Sequence, residues 1–526
     1  MSALDNTRMS HHESRDRSKP LSELLAGMTE LDTNLDCEIL APQIDSREVK
    51  AGDLFIAMPG ASVDGRNYLD MALKRGASVV VYEALANPYE DGDSTQYHHE
   101  IDTNKPVLPI ADLRSKTSEI AARFYDYPSS KLKVVGVTGT NGKTTFSYLL
   151  AQAWQSLGYS SAMMGTIGNG AVDSLKKSAL TTADAISVQR TMSEFVDKGM
   201  DIVCMEVSSH GLSQDRVSSI RFDTVVFTNL SQDHLDYHGD LKRYGEQKAK
   251  LFGFDGLQLA VINCEDSLGQ QLIKHHKAKR CLSYGFAQGD VRPERLIIDE
   301  SGIRFVLQWQ GERVAISSSL LGEVNVSNLL AVAACLLGMG VALGRLPEVF
   351  ERFVPPPGRM ELFTANNEVD NTLPKVVVDY AHTPDALKRA LQSLRQISDQ
   401  ELVVVFGCGG DRDRGKRPMM GRIAEQYADQ VIVTDDNPRN EPSEKIVADI
   451  VAGMSEQPMI VHDREQAITE AICPTPGVSQ TRMVLVAGKG HEDSQTSKNG
   501  VIHLRAPGCA TLPLFSTRRF NPATSA

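Results

Sequence analysis

Short apolar runs alternate with amphipathic stretches through the middle of the chain. Apolar runs of four to six residues are typical of buried strands, and the stretches between them have helical periodicity. This alternation predicts a mostly parallel sheet with helices on its faces. The predicted elements are strands at 134–137, 202–207, 224–227 and 259–263, short antiparallel strands within 295–318, and an apolar helix at 329–338.

The run PPPG at 355–358 indicates a hinge or a domain boundary, and a clearer alternation follows it. Thr383 and Pro384 have the residue types of an N-cap and a first helical position. Five strands in this third block predict a doubly wound sheet. The strands are expected at 376–379, 402–406, 431–434, 459–461 and 483–487, with helices beginning near 384, 419 and 443 and another helix after 461.

The first block, up to about residue 128, is predicted to contain a short strand, a glycine loop, a helix and a buried strand within residues 45–83. The polar composition of the first 20 residues predicts a disordered extension, and DYPSSK at 126–131 is interpreted as a linker. The fold class is therefore α/β with three domains. We expect the extension at 1–20, an N-terminal α/β domain at 21–130, a central parallel-sheet domain at 131–354 and a C-terminal Rossmann-like domain at 355–526.

Composition excludes several classes of protein. The chain of 526 residues has a formal net charge of −12 and lacks a basic stripe interleaved with aromatic residues, so nucleic acid is not an expected partner. Eight cysteines lack CxxC spacing, which favours reduced thiols in the cytoplasm over a zinc ribbon. The polar N-terminus does not have the pattern of a signal peptide, and no apolar run has the length of a membrane span.

The sequence VVGVTGTNGKTT at 134–145 joins a strand to a helix through glycines at 136, 139 and 142. Glycines allow backbone N–H groups to approach a polyphosphate, and the helix N-terminus adds positive potential. Lys143 supplies a point charge, and the hydroxyl of Thr144 can bind Mg²⁺. Position 137 is Val where the standard P-loop has glycine. The motif nevertheless predicts a P-loop-type ATPase domain that binds a nucleoside triphosphate.

Polar residues follow the predicted strands. In the third block the loops DYAHTP, GCGGDRDRGKRP, TDDNPRNEP and AGKGHED all fall at one sheet edge, which predicts a ligand-binding edge rather than ordinary surface loops. In the central block Glu206 ends one strand, and Asp233 and His234 follow another, so a carboxylate and an imidazole could bind Mg²⁺ beside Thr144. The alternative is that His234 only caps a loop. Lys248 lies in DLKRYGEQKAKLF, which by itself indicates a surface lysine face.

Taken together, the motifs resemble the Mur ligase family. The resemblance rests on the 136–145 glycine motif, MEVSSHGL, FTNLSQDHLDYHG, NVSNLLA, GRME, DYAHTPDAL and GCGGDRDRGKRP, and it extends from about residue 21 to 492. DSR…GDLF, DDNPR and GKGHED are most similar to members that add the third residue of the peptidoglycan stem peptide.

The resemblance implies a mechanism and a set of nucleotide and metal residues. The γ-phosphate of ATP is transferred to the substrate carboxylate, and an amine then attacks the acyl phosphate. Lys248 matches the family lysine that CO₂ carbamylates, which gives an anion able to hold one of two Mg²⁺ ions. The implied catalytic residues are Lys143, Glu206, His234 and Lys248, the implied metal residues are Thr144, Glu206, His234 and carbamylated Lys248, and the implied ATP residues are Gly139, Thr140, Asn141, Gly142, Lys143, Thr144, Thr145, Asn325, Arg359 and Asp379.

The resemblance also implies two further substrate sites, for UDP-MurNAc-dipeptide and for meso-diaminopimelate. A substrate carboxylate suits the guanidinium of Arg439, whereas the ammonium of lysine would face a like charge. Leu180 departs from the Asn of some relatives. The residues implied for the UDP-sugar substrate are Ile44, Ser46, Ala61, Ser62, Val63, Leu180, Thr181, Thr182, Ser208, Gln214 and Arg216, and those for diaminopimelate are Arg412, Asp436, Asn437, Pro438, Arg439, Gly488 and Glu492.

Three hypotheses follow. The first is a diaminopimelate-adding ligase, expected to act as a cytoplasmic monomer. The second is a lysine-adding or folylpolyglutamate-synthase-like ligase. The third is a catalytically inactive nucleotide-binding scaffold, favoured only by the tail after Glu492, which has three prolines and no helical period where the family has a final helix.

Overall fold

The computed structural model describes most of the chain and divides it into two compact units. The first unit comprises the described residues up to Val134 together with Ala179–Asp201 and Val207–Phe222, and the second unit comprises the rest. The boundaries expected at 130/131 and 354/355 stay predictions. The described residues are 17–60, 63–84, 105–365, 374–472, 482–492, 494–498, 500–503 and 515–517.

The first unit is built around a parallel four-stranded sheet. The elements predicted within 45–83 are confirmed. Lys19–Pro20, inside the expected extension, instead pairs with Glu38–Ile39. The sheet strands are Pro42–Gln43, Leu54–Ala57, Val79–Glu83 and Val107–Ile110; the helices are Leu21–Leu25, Leu69–Arg75, Leu113–Phe124, Ala185–Asp197 and Ser209–Ser213; and 3₁₀ turns lie at Thr33–Leu35, Gly65–Tyr68 and Pro128–Ser130.

The second unit contains a large sheet whose described strands number ten, and its middle is parallel as predicted. The stretch 295–318 forms antiparallel strands, also as predicted. The apolar helix begins at Glu323, earlier than its apolar core suggested. The strands in spatial order are Glu312–Ser318, Gly302–Trp309, Val291–Asp299, Arg280–Tyr284, Leu259–Asn263, Thr224–Phe227, Lys133–Thr138, Ile202–Glu206, Ser161–Gly165 and Gly168–Gly170.

Helices cover this sheet, and the buried helix Glu323–Gly338 contributes most of its residues to the core. The long run of apolar residues in this helix explains its burial, because a helix that is apolar on all sides is stable only when other parts of the protein cover it. The other helices of this part are Lys143–Ser156, Leu235–His238, Leu241–Ala249, Ser267–Lys274 and Leu346–Glu351, with 3₁₀ turns at Lys250–Gly253 and Leu343–Arg345.

The third sheet has the five predicted parallel strands, and two antiparallel strands at one edge were not predicted. Thr383 caps its helix through Oγ1, as predicted. The helix expected from 419 begins at Lys416. The strands in order are Met459–Ile460, Gln430–Val433, Glu401–Phe406, Arg482–Ala487, Lys375–Asp379, Glu361–Ala365 and Phe515–Thr517; the helices are Pro384–Ile397, Lys416–Tyr427, Ser443–Val451 and Arg464–Ile472; and a hairpin joins Ser494–Ser497 to Gly500–His503.

Candidate active site

The predicted phosphate loop lies between the strand Lys133–Thr138 and the helix Lys143–Ser156. Gly139 and Gly142 have φ angles of +152° and +88°, in the region that favours glycine. A Cβ atom on Gly139 would lie 1.9 Å from Oγ1 of Thr228. The loop is therefore shaped by a close backbone approach that only glycine permits.

The segment after the neighbouring strand Thr224–Phe227 holds the loop in place. Thr140 N donates to Asn229 O at 2.8 Å, and Oγ1 of Thr228 donates to Asn141 O at 2.6 Å. Asn141 N donates to Oδ1 of Asn229 at 3.1 Å, and Ser231 N donates to Oγ1 of Thr140 at 3.0 Å. These bonds hold the backbone of the loop in one conformation, and such pre-organisation lowers the entropic cost of binding a phosphate.

The charged residues predicted at the loop are brought together. Oγ1 of Thr144 donates to Glu206, which is fully buried, at 2.9 Å, and Thr166 N donates to the same carboxylate at 2.8 Å. Nζ of Lys143 donates to the carbonyls of Gly139 and Thr140. Burial lowers the pKa of Lys143, partly offset by the Glu206 carboxylate.

Arg359 reaches the same place from the segment after PPPG. Its Nη2 lies 3.4 Å from Oγ1 of Thr144, and its guanidinium lies over the ring of Tyr380, 4.3 Å from the centroid. Its buried Nε has no hydrogen-bond partner among the described residues. A buried donor without an acceptor is costly, so this guanidinium is poised for an anionic ligand.

Lys248 does not belong to a surface face, because its side chain is only 1% exposed. Its Nζ donates to Gly139 O at 2.7 Å and lies 4.2 Å from the ring centroid of Tyr244. Burial, and then the nearby Lys143 cation, hold the pKa of Lys248 well below its ordinary value. The neutral amine form of this side chain is therefore favoured more strongly here than in a surface lysine.

His234 immediately precedes the short helix Leu235–His238 and has a left-handed backbone conformation, with φ +53°. Its Nε2 lies 3.4 Å from Oδ2 of Asp233. Burial lowers the pKa of His234, and the Asp233 carboxylate acts in the opposite direction. The lowered pKa favours the neutral imidazole, which is the form that binds metals.

The two residues expected near the base and ribose already have internal partners. Asn325 donates from Nδ2 to Leu321 O at 2.9 Å and accepts from Nδ2 of Asn328 at 3.0 Å. Asp379 accepts from the backbone N–H groups of Met360 and Ala381, both at 2.8 Å. Asp379 therefore fixes the backbone beside Arg359, and its ribose role stays a prediction.

Most residues of the predicted amino-acid pocket converge at the edge of the third sheet. Nδ2 of Asn437 donates to Glu492 at 3.1 Å, and Nη1 of Arg439 donates to Gly410 O at 2.8 Å. A Cβ on Gly488 would lie 2.8 Å from Asp436. Pro438 is buried and Arg412 is exposed, and Arg412 and Arg439 both approach the position of a Cβ on Gly409.

The described residues among those predicted for the sugar-peptide substrate lie in the first unit. Arg216 donates to Thr182 O and to Oε1 of Gln214, both at 2.6 Å, and Ser208 N donates to Oγ1 of Thr182 at 2.9 Å. Thr181 precedes this cluster. Elsewhere in the unit, Ser46 is buried near Met71, and Ile44 is partly exposed. Val63 is 55% exposed and Leu180 is 50% exposed. Ala61 and Ser62 lie outside the described residues.

Sequence reasoning missed several residues of these sites. Thr166 and Thr228 contact the carboxylate and the loop, but a lone threonine carries no sequence signal. Lys489 is 2% exposed, with Nζ 3.0 Å from Oδ1 of Asn437. The signal for Lys489 was present, because it lies inside the GKGHED motif that pointed to Gly488 and Glu492.

Within the described ranges, no cluster of three His, Cys, Asp or Glu side chains could hold a metal by itself. The fully buried carboxylate and the hydroxyl of Thr144 nevertheless fit Mg²⁺, a hard cation that commonly binds one or two carboxylates together with substrate phosphates. None of the helices in the described part of the chain is long and apolar enough to cross a membrane.

Comparison with known proteins shows the family of this chain. Three family models match in chain order: the Mur ligase family catalytic domain at residues 40–125, the Mur ligase middle domain at 137–336, and the Mur ligase glutamate ligase domain at 358–490. The chain belongs to the Mur ligase family, whose members are ATP-dependent ligases.

Two relatives and one solved structure that are similar to this chain share one ligase name. The UDP-N-acetylmuramoyl-L-alanyl-D-glutamate--2,6-diaminopimelate ligase of Coxiella burnetii is 41% identical over 92% of this chain and 97% of its own length. The enzyme of the same name from Chromobacterium violaceum is 44% identical over 86% and 90%. A solved structure of a ligase of this name has a TM-score of 0.64 at 34% identity, covering 93% of this chain and 96% of its own.

Proposed function

We propose that this protein is the ligase that adds meso-diaminopimelate to UDP-N-acetylmuramoyl-L-alanyl-D-glutamate, with ATP, in peptidoglycan precursor synthesis. The observation that carries the proposal is the clustering of Asn437, Arg439 and Glu492 at one edge of the third sheet, in a chain that also has an ordered phosphate loop. Nearly full-length similarity to ligases of that name supports it.

The reaction needs two anions, ATP and the substrate carboxylate, to meet. Backbone N–H groups at the start of the helix Lys143–Ser156, the Lys143 ammonium and the Arg359 guanidinium would neutralise the polyphosphate. The carboxylate oxygen attacks the γ-phosphorus and ADP leaves. The neutral amine of the amino acid then attacks the acyl carbon, its nitrogen releases one proton, and phosphate leaves as the amide forms.

Two Mg²⁺ ions belong to the proposal. Thr144 and Glu206 would hold one ion, and His234 with carbamylated Lys248 the other. Bound Mg²⁺ would offset charge on the transferring phosphoryl group. Glu206 meanwhile orients the hydroxyl of Thr144 through the 2.9 Å hydrogen bond.

Carbamylation suits the surroundings of Lys248. The nitrogen of a neutral amine attacks the carbon of CO₂ and releases one proton, which leaves a carbamate anion. Burial and Lys143 favour the neutral amine beforehand, and Lys143 attracts the anion afterwards. A ¹³C-bicarbonate NMR experiment would be expected to give a carbamate resonance that Lys248→Met removes.

The choice of amino acid follows from charge. A distal carboxylate can pair with Arg439, and a distal ammonium can pair with Glu492, so a substrate that carries both satisfies the pocket. Lysine offers only the ammonium. The UDP-sugar dipeptide is assigned to the first unit, where Arg216 can bind an anionic group. We infer a cytoplasmic reaction because ATP is consumed, and a monomer stays our prediction.

The test is ATP-dependent phosphate release with UDP-MurNAc-L-Ala-D-Glu and either meso-diaminopimelate or L-lysine. Release with diaminopimelate alone is expected. Release with L-lysine alone would refute the role given to Arg439 and point to a lysine-adding ligase. Release only with a folate and glutamate would indicate a folylpolyglutamate-type ligase, and ATP binding without release would indicate an inactive scaffold.

A further inference from the structure

The buried Lys489 belongs to none of the roles assigned so far. Its Nζ donates to Oδ1 of Asn437 at 3.0 Å and to Ser494 O at 2.8 Å. It also lies 3.8 Å from Asp436 and 3.7 Å from Glu492. One cation thus contacts both carboxylates of the amino-acid pocket, its amide residue and the hairpin that follows it.

These contacts decide which way the Asn437 amide faces. Its Oδ1 accepts from two donors, Nζ of Lys489 and Thr496 N at 2.9 Å, while its Nδ2 donates to Glu492. Neither Lys489 nor a backbone N–H can accept a hydrogen bond, so the opposite amide orientation would place donors against donors. The Nδ2 group has a second hydrogen, and a carboxylate is a strong acceptor for it.

We propose that Lys489 is a positioning and specificity-determining residue of the amino-acid pocket. It fixes the Asn437 amide as a hydrogen-bond donor and balances the charge of the carboxylates of Asp436 and Glu492. The site therefore selects an amino acid that carries a second carboxylate. The proposal rests on the proposed function and deepens it. Charge points the same way, because the Lys489 cation lies beside both Asp436 and Glu492, the two carboxylates that could attract a second ammonium. Removing Lys489 takes away a cation that disfavours a lysine substrate.

The hairpin gives Lys489 a second connection to the same loop. Arg439 N donates to Thr496 O at 3.0 Å, and Ser494 O accepts from Lys489. Because the backbone of Arg439 and the amide of Asn437 both bond to Thr496, the first strand of the hairpin supports both residues. The strand Ser494–Ser497 therefore contributes to the predicted amino-acid pocket.

The experiment compares the parent enzyme with Lys489→Met, which keeps the chain length but removes the charge and the donor. We expect the KM for meso-diaminopimelate to rise at least tenfold, with the KM values for ATP and the UDP-dipeptide within twofold. The ratio of kcat/KM for diaminopimelate to that for L-lysine should fall at least tenfold. Lys498→Met removes an exposed lysine at the turn of the same hairpin and should change neither quantity.

The outcomes separate the hypotheses. An unchanged ratio in Lys489→Met, whether or not kcat falls, would overturn the proposal, because a purely structural role predicts equal losses for both amino acids. If Lys489→Met does not fold, Lys489→Gln is measured by the same ratio, and an unchanged ratio again overturns it. If the parent enzyme releases no phosphate with diaminopimelate, the proposed function itself has failed, and the inference about Lys489 fails with it.

Discussion

The close approach at Gly139 gives a prediction that can be worked out from distances. In Gly139→Ala the new Cβ would lie 1.9 Å from Oγ1 of Thr228 and 3.1 Å from the backbone N and O atoms of Asn229. Overpacking of this kind costs about 1–3 kcal/mol. The φ angle of +152° is strained for alanine, which adds about 1–3 kcal/mol.

The expected result is a loss of nucleotide affinity. If about 2 kcal/mol of the strain is relieved by moving the loop away from its binding conformation, affinity falls roughly 30-fold. Isothermal titration calorimetry with a non-hydrolysable ATP analogue and Mg²⁺ measures this directly. Gly158→Ala is the matched control, because it has φ +90° but nothing within 4 Å of its Cβ, so its stability should fall slightly while affinity is unchanged.

A double-mutant cycle tests the cause. Thr228→Ala removes the clashing hydroxyl, at the cost of its 2.6 Å hydrogen bond to Asn141 O, about 1 kcal/mol. In that background, Gly139→Ala should cost about 1–3 kcal/mol less than in the parent. Strictly additive losses, or parental affinity in Gly139→Ala, would show that the contact with Thr228 does not shape the loop.

Three further predictions concern charged residues. Arg359→Lys should raise the KM for ATP about tenfold, because a single ammonium cannot replace the forked guanidinium, whose buried Nε has no partner among the described residues. The KM for the amino acid should stay the same, and equal changes in both KM values would contradict this prediction. Arg439→Lys should lower kcat/KM for diaminopimelate about tenfold with ATP affinity unchanged, as measured by phosphate release. The hydrogen bond from the buried Arg417, assisted by Arg414, lowers the pKa of Glu441 to about 2, from an ordinary value of 4.5. The stability that ionised Glu441 contributes is thus fully present above pH 4.5 and is lost as the pH falls toward 2. Glu441→Gln should therefore lower Tm at pH 7 by an amount that shrinks below pH 4.5. A difference in Tm between the parent and Glu441→Gln that does not change with pH would refute the lowered pKa of Glu441.

The sequence predicted the parallel sheets well because buried strands are continuous apolar runs, and their ends are marked by glycine and polar loops. The strand Leu259–Asn263 and the helix cap at Thr383 are examples. Elements whose positions depend on distant partners were not predicted. The strand Glu361–Ala365 has no strong pattern of its own and is defined by pairing with Lys375–Asp379 and with Phe515–Thr517.

The residues of the candidate site also divide into those that a sequence motif predicts and those that only tertiary contacts define. Lys143, Thr144 and Glu206 follow from strand ends and one motif, and the structure brings them together. The burial of Lys248 could not be predicted from its own helix, in which most residues are polar. Only the family resemblance indicated a functional role for this lysine. Residues such as Thr166 and Thr228 act through tertiary contacts, for which a single sequence carries no spacing signal.

The division of the chain has a consequence for how this protein is made. Residues 202–206 form a strand of the second unit, yet the residues on both sides, Ala179–Asp201 and Val207–Phe222, belong to the first. A ribosome therefore cannot deliver the complete first unit until residue 222 has emerged, long after residue 134. No single cleavage can release that unit free of the second one either, because residues 135–178 and 202–206 lie between its segments. The folding of the first unit is therefore expected to be completed only after these parts of the second unit have also been synthesised.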